Sequence, residues 1–164
     1  MMNVAKIRCE DIANGPGIRV SIYVQGCTRQ CEDCFNKETW DFNGGSPLTN
    51  NLKERFLELG NKKKIVGYSI LGGEPLQQGK EMLSLVQDIR KAYPEKTIWM
   101  WTGYKYEDLS DEQLEIVKEI DVLVDGEFVT KLKSSNRHFM GSSNQRLIDI
   151  HKTLVADTVV LFKL

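Results

Sequence analysis

The sequence predicts an α/β fold built around a mostly parallel sheet. Short apolar segments rich in β-branched residues alternate along the chain with longer segments whose apolar residues recur at helical spacing. Parallel strands need helical crossovers of this kind, and strands that are covered on both faces are apolar throughout. A chain of 164 residues falls within the usual size of one domain. We therefore expect residues 1–164 to form a single domain.

The first predicted strand ends at a loop that holds three of the chain's four cysteines. Residues 19–25 alternate and are rich in β-branched side chains, which predicts a strand. Cys27, Cys31 and Cys34 follow it, at the strand end where α/β folds place their chemistry. Three thiolates can bind one soft metal centre but leave it a ligand short, and an open ligand position is typical of a working metal site.

The cysteine spacing alone leaves the kind of site open. An iron-sulfur cluster with one open iron fits three thiolates. A zinc knuckle completed by Cys9, His138 or His151 fits them too, as do three reduced surface cysteines. For Cys9 itself, which stands apart in the sequence, we expect an ordinary thiol without a ligand.

A glycine pair and a carboxylate follow the second predicted strand. Residues 65–71 run directly into Gly72, Gly73, Glu74 and Pro75. Two glycines allow a ligand to approach the backbone closely, and the Glu74 carboxylate can receive an ammonium group. The alternative interpretation is a helix entry, in which the glycines turn the chain and Pro75 occupies the first helical turn.

The rest of the chain continues the alternation. Residues 97–101 and 122–124 are two further predicted strands, and they lead into Thr102 and Asp125, so polar groups again stand at strand ends. Helices are predicted by periodic apolar residues over three segments, residues 48–59, 79–93 and 110–119. Two last strand-like segments that could close one edge of the sheet are residues 145–150 and 158–164.

Composition and charge exclude several classes of partner. The chain has 22 basic and 23 acidic residues, a net charge of -1, and so no overall attraction to nucleic acid or to an anionic membrane. No segment reaches the ~20 apolar residues needed to cross a bilayer, and residues 1–8 lack the apolar core of a signal peptide. We expect a cytoplasmic protein with reduced thiols and with neither a nucleic acid nor a membrane as partner.

Motifs along most of the chain resemble one enzyme family. Residues 14–19, with the sequence NGPGIR, are followed by the cysteine loop, by Asn36 and by residues 39–41, TWD. This order resembles the radical S-adenosylmethionine superfamily, and most closely the activating enzymes of glycyl-radical proteins. The short chain and three later runs are similar to the subgroup that activates anaerobic ribonucleoside-triphosphate reductase: residues 101–104, 125–126 and 141–146.

The resemblance implies a fold and a reaction. The fold is an abbreviated, open radical-SAM-type (β/α) partial barrel with a mostly parallel sheet, because the chain is too short for a full barrel. The reaction is that of an oxidoreductase, which cleaves S-adenosylmethionine reductively and uses the resulting 5′-deoxyadenosyl radical to take a hydrogen atom from a glycine of the reductase. No side chain is implied to act as an acid or a base, so no catalytic residue is predicted.

The resemblance also assigns roles to residues of this chain. Cys27, Cys31 and Cys34 would bind a [4Fe-4S] cluster whose open iron takes the amino and carboxylate groups of S-adenosylmethionine. The residues expected around that cofactor are Gly72 and Gly73 at its methionine end, Glu74 or nearby backbone at its ammonium, Asp33, Cys34 and Phe35 at its adenosyl end, and Thr102 and Asp125 near its ribose. Asp33 stands where the family often has an aromatic residue, and Phe35 follows the third cysteine instead.

The implied partners are two proteins, the anaerobic reductase as substrate and an electron donor. Residues 131–144 break the strand and helix pattern with lysines, serines and asparagines, and long loops of this kind are usually functional or disordered. We hypothesise that this loop lies at the open barrel mouth and contacts the reductase. Two alternatives remain: an activase of another glycyl-radical enzyme of the formate-lyase type, and a non-enzymatic metal-binding interaction module, which leaves residues 14–19 and 72–75 without a role.

Overall fold

The computed structural model describes residues 2–134 and 138–164. Its strands are β1 (Asn3–Asp11), β2 (Ile18–Val24), β3 (Ser46–Pro47), β4 (Ile65–Gly72), β5 (Thr97–Trp101), β6 (Val122–Asp125) and β7 (Arg146–Asp149). Its α-helices are α1 (Asn50–Leu59), α2 (Lys80–Ala92), α3 (Asp111–Val117) and α4 (Ile150–Ala156). Within these described ranges, no helix is long and apolar enough to cross a membrane.

The strands form one sheet in the order β3-β1-β2-β4-β5-β6-β7. The central pairs β2 with β4, β4 with β5, and β5 with β6 are parallel. The outer pairs, β1 with β2, β1 with β3, and β6 with β7, are antiparallel. In the described part of the chain β3 and β7 are the outermost strands of the sheet and do not pair with each other. The predicted α/β fold with an open sheet that does not close into a barrel is confirmed, and the sheet is parallel in its centre and antiparallel at both sides.

The two faces of the sheet bury different kinds of side chain. One face carries aliphatic residues such as Ile22, Ile70 and Met100, which pack in the main core with apolar residues of α1, α2 and α3. Side chains alternate along a strand, so the opposite face carries the intervening residues. That face is partly aromatic, and its smaller cluster centres on Trp99. We call it the inner face.

A buried arginine secures the inner face near the start of the parallel strands. Arg19 is fully buried in β2, and burial lowers its pKa to about 10. Its Nε donates to Ser69 Oγ (2.8 Å), and its Nη2 donates to the carbonyls of Tyr68 and Thr97 (both 2.9 Å). Its Nη1 donates to the Pro16 carbonyl at 3.2 Å. These bonds satisfy a buried charge and tie β2, β4 and β5 to the NGPG turn.

Two elements near the ends of the chain were not predicted. The register of β1 against β2 shifts twice, between Val4 and Lys6 and between Arg8 and Asp11, and such irregularities break the alternation that marks a strand. Helix α4 buries Ile150 and Thr153 while its apolar residues Leu154 and Val155 are exposed, so its sequence does not mark one apolar face. The strand expected over residues 158–164 is wrong, because that segment makes only an isolated bridge from Leu161 to β7.

Asp121, just before β6, joins strand β5 to the helices α2 and α4. Its carboxylate accepts hydrogen bonds from the Ile98 N–H (2.7 Å) and from Arg90 Nη2 (2.7 Å), and it lies 2.6 Å from His151 Nε2. Burial alone would raise the pKa of Asp121, but the hydrogen bonds from Arg90, His151 and the Ile98 N–H outweigh it and lower the pKa below its usual value. The charged form therefore stabilises the fold.

We expect Asp121→Asn to lower the free energy of unfolding at pH 7 by about 1 to 3 kcal/mol, because an amide cannot accept all of these bonds. A lowered carboxyl pKa gives stability that is present above the unfolded pKa of about 3.9 and is lost as pH falls through the folded value. Urea unfolding between pH 7 and 3 should therefore show a weaker loss of stability below about pH 4 in the variant than in the wild type.

Asp88→Asn is the matched control for this prediction. Asp88 pairs with Lys53 at the surface, and its side chain is 42% exposed. A surface pair of this kind contributes about 1 kcal/mol at most. If Asp121→Asn cost no more than Asp88→Asn, the anchoring role of Asp121 would be refuted.

Candidate functional site

A cavity of about 410 Å³ lies on the inner face at the C-terminal ends of the parallel strands. Its walls come from the cysteine loop after β2, from the glycine pair and Glu74 after β4, from the start of the loop after β5, and from the segment between β6 and β7. Ala13 and Asn14, in the loop between β1 and β2, and Tyr23 of β2 complete the lining. The strand ends thus bring separate motifs of the sequence to one space.

All three predicted cysteine ligands line this cavity. Cys27, Cys31 and Cys34 are half-buried free thiols. Burial raises the pKa of Cys27, and it raises the pKa of Cys31 to about 11 together with the charge and hydrogen bond of Glu127. These two thiols are therefore protonated at neutral pH, and a metal centre that bound them would displace their protons.

The described donors are not gathered as the ligands of a single metal ion. Within residues 2–134 and 138–164, no group of three or more His, Cys, Asp or Glu side chains is placed to hold one metal ion. A zinc site needs its ligands around one point, whereas a four-iron cluster takes each thiolate on a different iron. The three residues weighed as a fourth zinc ligand are outside the cavity lining: Cys9, His138 and His151. The thiols and the space beside them fit a cluster with an open position.

Backbone hydrogen bonds clamp the cysteine loop on both sides. The Gly26 N–H donates to the Thr39 carbonyl (2.7 Å) and the Cys27 N–H to the Trp40 carbonyl (3.1 Å). On the other side, the Glu74 N–H donates to the Gly26 carbonyl at 2.8 Å. The TWD run and the GGEP run therefore support the strand end from which the cysteines start.

The glycine pair is needed for packing between chain segments. Gly72 has φ +108°, and a Cβ there would lie 2.6 Å from the Val24 backbone nitrogen. A Cβ on Gly73 would lie 2.4 Å from the Gly26 carbonyl oxygen. Both glycines line the cavity, but their close neighbours are the end of β2 and the first residue of the cysteine loop. A side chain at either position would push these segments apart.

Glu74 has both of the features that the sequence left open: it begins a short helix and it lines the cavity. Its carboxylate is 1% exposed and accepts hydrogen bonds from the Leu76 N–H (3.0 Å), Thr102 Oγ1 (2.8 Å) and the Gly103 N–H (2.7 Å). It caps the short 3-10 helix Pro75–Gln77, so the helix-entry interpretation is correct, and it also lines the cavity. Burial raises its pKa, which the hydrogen bonds from Gly103 and Leu76 oppose.

Two predicted cofactor residues are not on the cavity wall. Asp33 has φ +56°, and its carboxylate accepts a hydrogen bond from Thr130 Oγ1 at 3.3 Å. Asp125 is buried, and its carboxylate accepts bonds from Arg146 Nε (3.0 Å) and the Tyr106 N–H (2.8 Å). The cavity lining does bring together the other predicted residues, namely Cys27, Cys31, Cys34, Phe35, Gly72, Gly73, Glu74 and Thr102.

The aromatic residue that the family often has at position 33 is replaced here by Asp33, and a pair of phenylalanine rings, Phe35 and Phe128, lies nearby in the structure. Phe35 is 61% exposed, and its ring centroid lies 4.9 Å from that of Phe128, in the segment after β6. Lys133 Nζ lies 5.4 Å from the Phe35 ring. The ring that follows the third cysteine therefore forms the wall at this end of the cavity.

Sequence reasoning missed two polar residues of the wall. Arg29 and Trp40 line the cavity, and each has a buried nitrogen, Nε and Nε1 respectively, with no hydrogen-bond partner among the described residues. In the sequence, Trp40 is part of the TWD run, and Arg29 lies between two cysteines without a motif of its own. An unpaired buried donor is visible only in three dimensions, and it is the kind of group that a bound cofactor can satisfy.

The loop over residues 131–144 is described except for Ser135, Asn136 and Arg137, which lie outside the described residues. Its later part is anchored rather than open: the side chain of Ser142 is buried, and its Oγ accepts a hydrogen bond from the Val129 N–H at 3.3 Å. Three consecutive residues of this part line the cavity, Phe139, Met140 and Gly141. The segment thus borders the cavity that holds the cysteines.

Comparisons with known proteins agree with the site. A family model described as a 4Fe-4S single cluster domain matches residues 13–148. The anaerobic ribonucleoside-triphosphate reductase-activating protein of Escherichia coli strain K12 is 43% identical over 148 residues, which cover 88% of this chain and 96% of that protein. Proteins of the same name from Salmonella typhimurium strain LT2 and Enterobacteria phage T4 are 44% identical over 139 residues and 40% identical over 148 residues. These cover 82% and 89% of this chain, and 90% and 93% of the relatives.

The family model spans most of the chain, and its limits enclose the cysteine loop, the GGEP run and the strands that carry them. The relatives match over nearly their whole length. The resemblance drawn from the motifs is confirmed, and the chain belongs to the family of anaerobic ribonucleoside-triphosphate reductase-activating proteins, with a 4Fe-4S single cluster domain.

Proposed function

We propose that this protein cleaves S-adenosylmethionine reductively at a [4Fe-4S] cluster and generates a glycyl radical on an anaerobic ribonucleoside-triphosphate reductase. The observation that carries the proposal is the cavity itself: three thiols and a buried carboxylate face one space of about 410 Å³ at the strand ends. The names of the relatives support the reductase as the target.

Cys27, Cys31 and Cys34 would hold the cluster. When bound, the cluster and S-adenosylmethionine supply the electron transfer and the radical chemistry, and the protein supplies placement. The glycine pair and Glu74 line the same cavity as the thiols, so a second group bound at an open iron would meet them. No residue of the chain is needed as an acid or a base.

Glu74 would attract the ammonium group of S-adenosylmethionine. Three hydrogen bonds fix its carboxylate at the wall, so it presents a negative charge without reorganising. Thr102 donates to this carboxylate and accepts from the Tyr104 N–H at 3.2 Å, so we propose that it positions Glu74 rather than the ribose. Gly72 and Gly73 would keep the methionine end close to the backbone.

Phe35, with Phe128 beside it, would form the apolar wall for the adenosyl group, and Cys34 lies next to Phe35 in the same loop. We propose that Asp33 and Asp125 shape the site without touching the ligand, because each carboxylate already has a partner outside the cavity lining. The adenosyl group would then meet rings from two segments, the cysteine loop and the segment after β6.

The reductase would dock where the loop of residues 131–144 borders the cavity. Lys131 is exposed and Lys133 lies over the Phe35 ring, so this segment carries two lysines, one of them beside a ring of the cavity wall. The loop would contact the reductase, and a separate electron donor protein would reduce the cluster. Normal activation of the reductase by a variant with both lysines changed to glutamate would refute the docking role.

We expect Cys27→Ala, Cys31→Ala and Cys34→Ala each to abolish stable cluster binding, because a cluster held by two thiolates loses a third of its protein ligands. After anaerobic reconstitution, iron and sulfide assays should give about four irons per wild-type chain and close to none in each variant. Cys9→Ala is the matched control and should retain the full iron content. Full iron content in any of the three variants would contradict the ligand assignment.

We expect the reconstituted and reduced protein, mixed anaerobically with S-adenosylmethionine and an anaerobic ribonucleotide reductase, to form 5′-deoxyadenosine and methionine in equal amounts. Electron paramagnetic resonance should then detect a glycyl radical on the reductase, and a reductase whose radical glycine is changed to alanine should give none. Activation of a formate-lyase-type protein instead would favour the alternative target. Absence of both products would refute the proposed function.

A further inference from the structure

Arg29 is a charged residue of the cavity wall that the proposed reaction has not yet used. It lies between Cys27 and Cys31, its side chain is 26% exposed, and it lines the cavity. In the part of the chain that the structure describes, its buried Nε has no partner, and its Nη2 contacts Glu127 at 3.5 Å. A guanidinium stays protonated and has several N–H donors. Arg29 therefore offers the cavity a fixed positive charge with unused donors.

The position of Arg29 is held by its neighbours. Its Cζ lies 4.8 Å from the centroid of the Tyr104 ring, which is the geometry of a cation-π contact. Gln77 Nε2 donates both to Tyr104 OH (2.9 Å) and to Thr28 Oγ1 (2.7 Å), and Gln77 Oε1 accepts from the Thr28 N–H at 3.0 Å. The Gln77 side chain thus holds both the Tyr104 ring, which lies against the guanidinium, and Thr28, the residue before Arg29.

Arg29 and Glu74 flank the same glycine. A Cβ on Gly103 would lie 2.6 Å from Arg29 Nε and 3.4 Å from Glu74 Oε1, and the Gly103 N–H donates to that oxygen at 2.7 Å. A positive and a negative group therefore stand side by side on one wall of the cavity. Their opposite charges match the two charged groups of an α-amino acid, a carboxylate and an ammonium.

The contact of Arg29 with Glu127 is easily exchanged. The distance of 3.5 Å is at the outer limit of a hydrogen bond, and the Glu127 side chain is 50% exposed. Exposed ion pairs of this kind contribute little to stability. A ligand carboxylate in the cavity, away from bulk water and with better geometry, would be the preferred acceptor.

We propose that Arg29 binds the carboxylate of S-adenosylmethionine beside Glu74, so that this wall recognises the ligand as an α-amino acid. The inference rests on the proposed function and adds the residue that distinguishes the intact amino acid from analogues without the carboxylate. Arg29 is a binding residue in this account and takes no part in the bond cleavage.

The test is equilibrium binding of two ligands to the reconstituted protein without oxygen. S-Adenosylmethionine has the carboxylate, and decarboxylated S-adenosylmethionine has the same sulfonium, adenosine and amine without it. We expect Arg29→Gln to weaken binding of the first about 10- to 100-fold, the range for a lost bond to a charged group, and to change binding of the second less than about twofold. Arg29→Lys should fall between, because a lysine keeps the charge but not the planar fork.

Three controls make the outcome specific. Lys118→Gln removes an exposed surface cation that pairs with Glu115 and should leave both affinities unchanged. The iron content and the circular dichroism spectrum of each variant should match those of the wild type. If Arg29→Gln loses the cluster, the two ligands are compared with Arg29→Lys instead. A second ligand pair repeats the test without the sulfonium: S-adenosylhomocysteine, which has the carboxylate, should bind more weakly to the variants, and 5′-methylthioadenosine, which lacks it, should not.

Two results would overturn the inference alone. Wild-type affinity of Arg29→Gln for S-adenosylmethionine would show that the guanidinium does not hold the carboxylate. An equal loss of affinity for S-adenosylmethionine and for its decarboxylated form would show that Arg29 supports the loop and does not contact the carboxylate. Failure of the wild-type protein to bind S-adenosylmethionine at all would overturn the proposed function, and the inference with it.

Discussion

Direct contact between two glycine backbones, Gly26 and Gly73, is the constraint on which the cavity depends. They approach so closely that a Cβ on Gly73 would overlap the Gly26 carbonyl oxygen. The same carbonyl accepts the Glu74 N–H, and the Gly26 N–H bonds to the Thr39 carbonyl. The cysteine loop, the GGEP run and the TWD run therefore share one junction at the ends of β2 and β4. The GGEP run is far from the other two in the sequence, but the junction at Gly26 places all three around the same cavity.

Polar groups below the cavity are satisfied within the protein, so they support the site without competing for its ligand. Arg19 ties the strand starts to the NGPG turn through neutral acceptors. In that turn, Asn14 Nδ2 donates to Asp11 Oδ2 (2.7 Å) and to Tyr23 OH (2.9 Å). The first motif of the family thus contributes Asn14 to the floor of the cavity. The unpaired donors of Arg29 and Trp40 are in the walls above it, where a cofactor is expected.

The sequence was sufficient for the features that repeat or that lie close together in the chain. The apolar periodicity predicted the central strands and helices α1 to α3, and the rule that chemistry lies at strand ends placed the cysteines, Glu74 and Thr102 on one cavity. It could not predict pairings across long separations. Asp125 stands at a strand end as expected, but Arg146, far along the chain, holds its carboxylate. Nor could it decide between ligand binding and packing for Gly72 and Gly73, whose close neighbours come from another strand.

The most direct test of the central claim is an electron paramagnetic resonance spectrum of the anaerobically reconstituted and reduced protein, recorded with and without S-adenosylmethionine. A cluster held by three thiolates at this cavity predicts a reduced [4Fe-4S] signal that changes when the nucleotide is added, because the nucleotide reaches the open iron. A colourless protein, or a cluster signal that is indifferent to S-adenosylmethionine, would contradict the account.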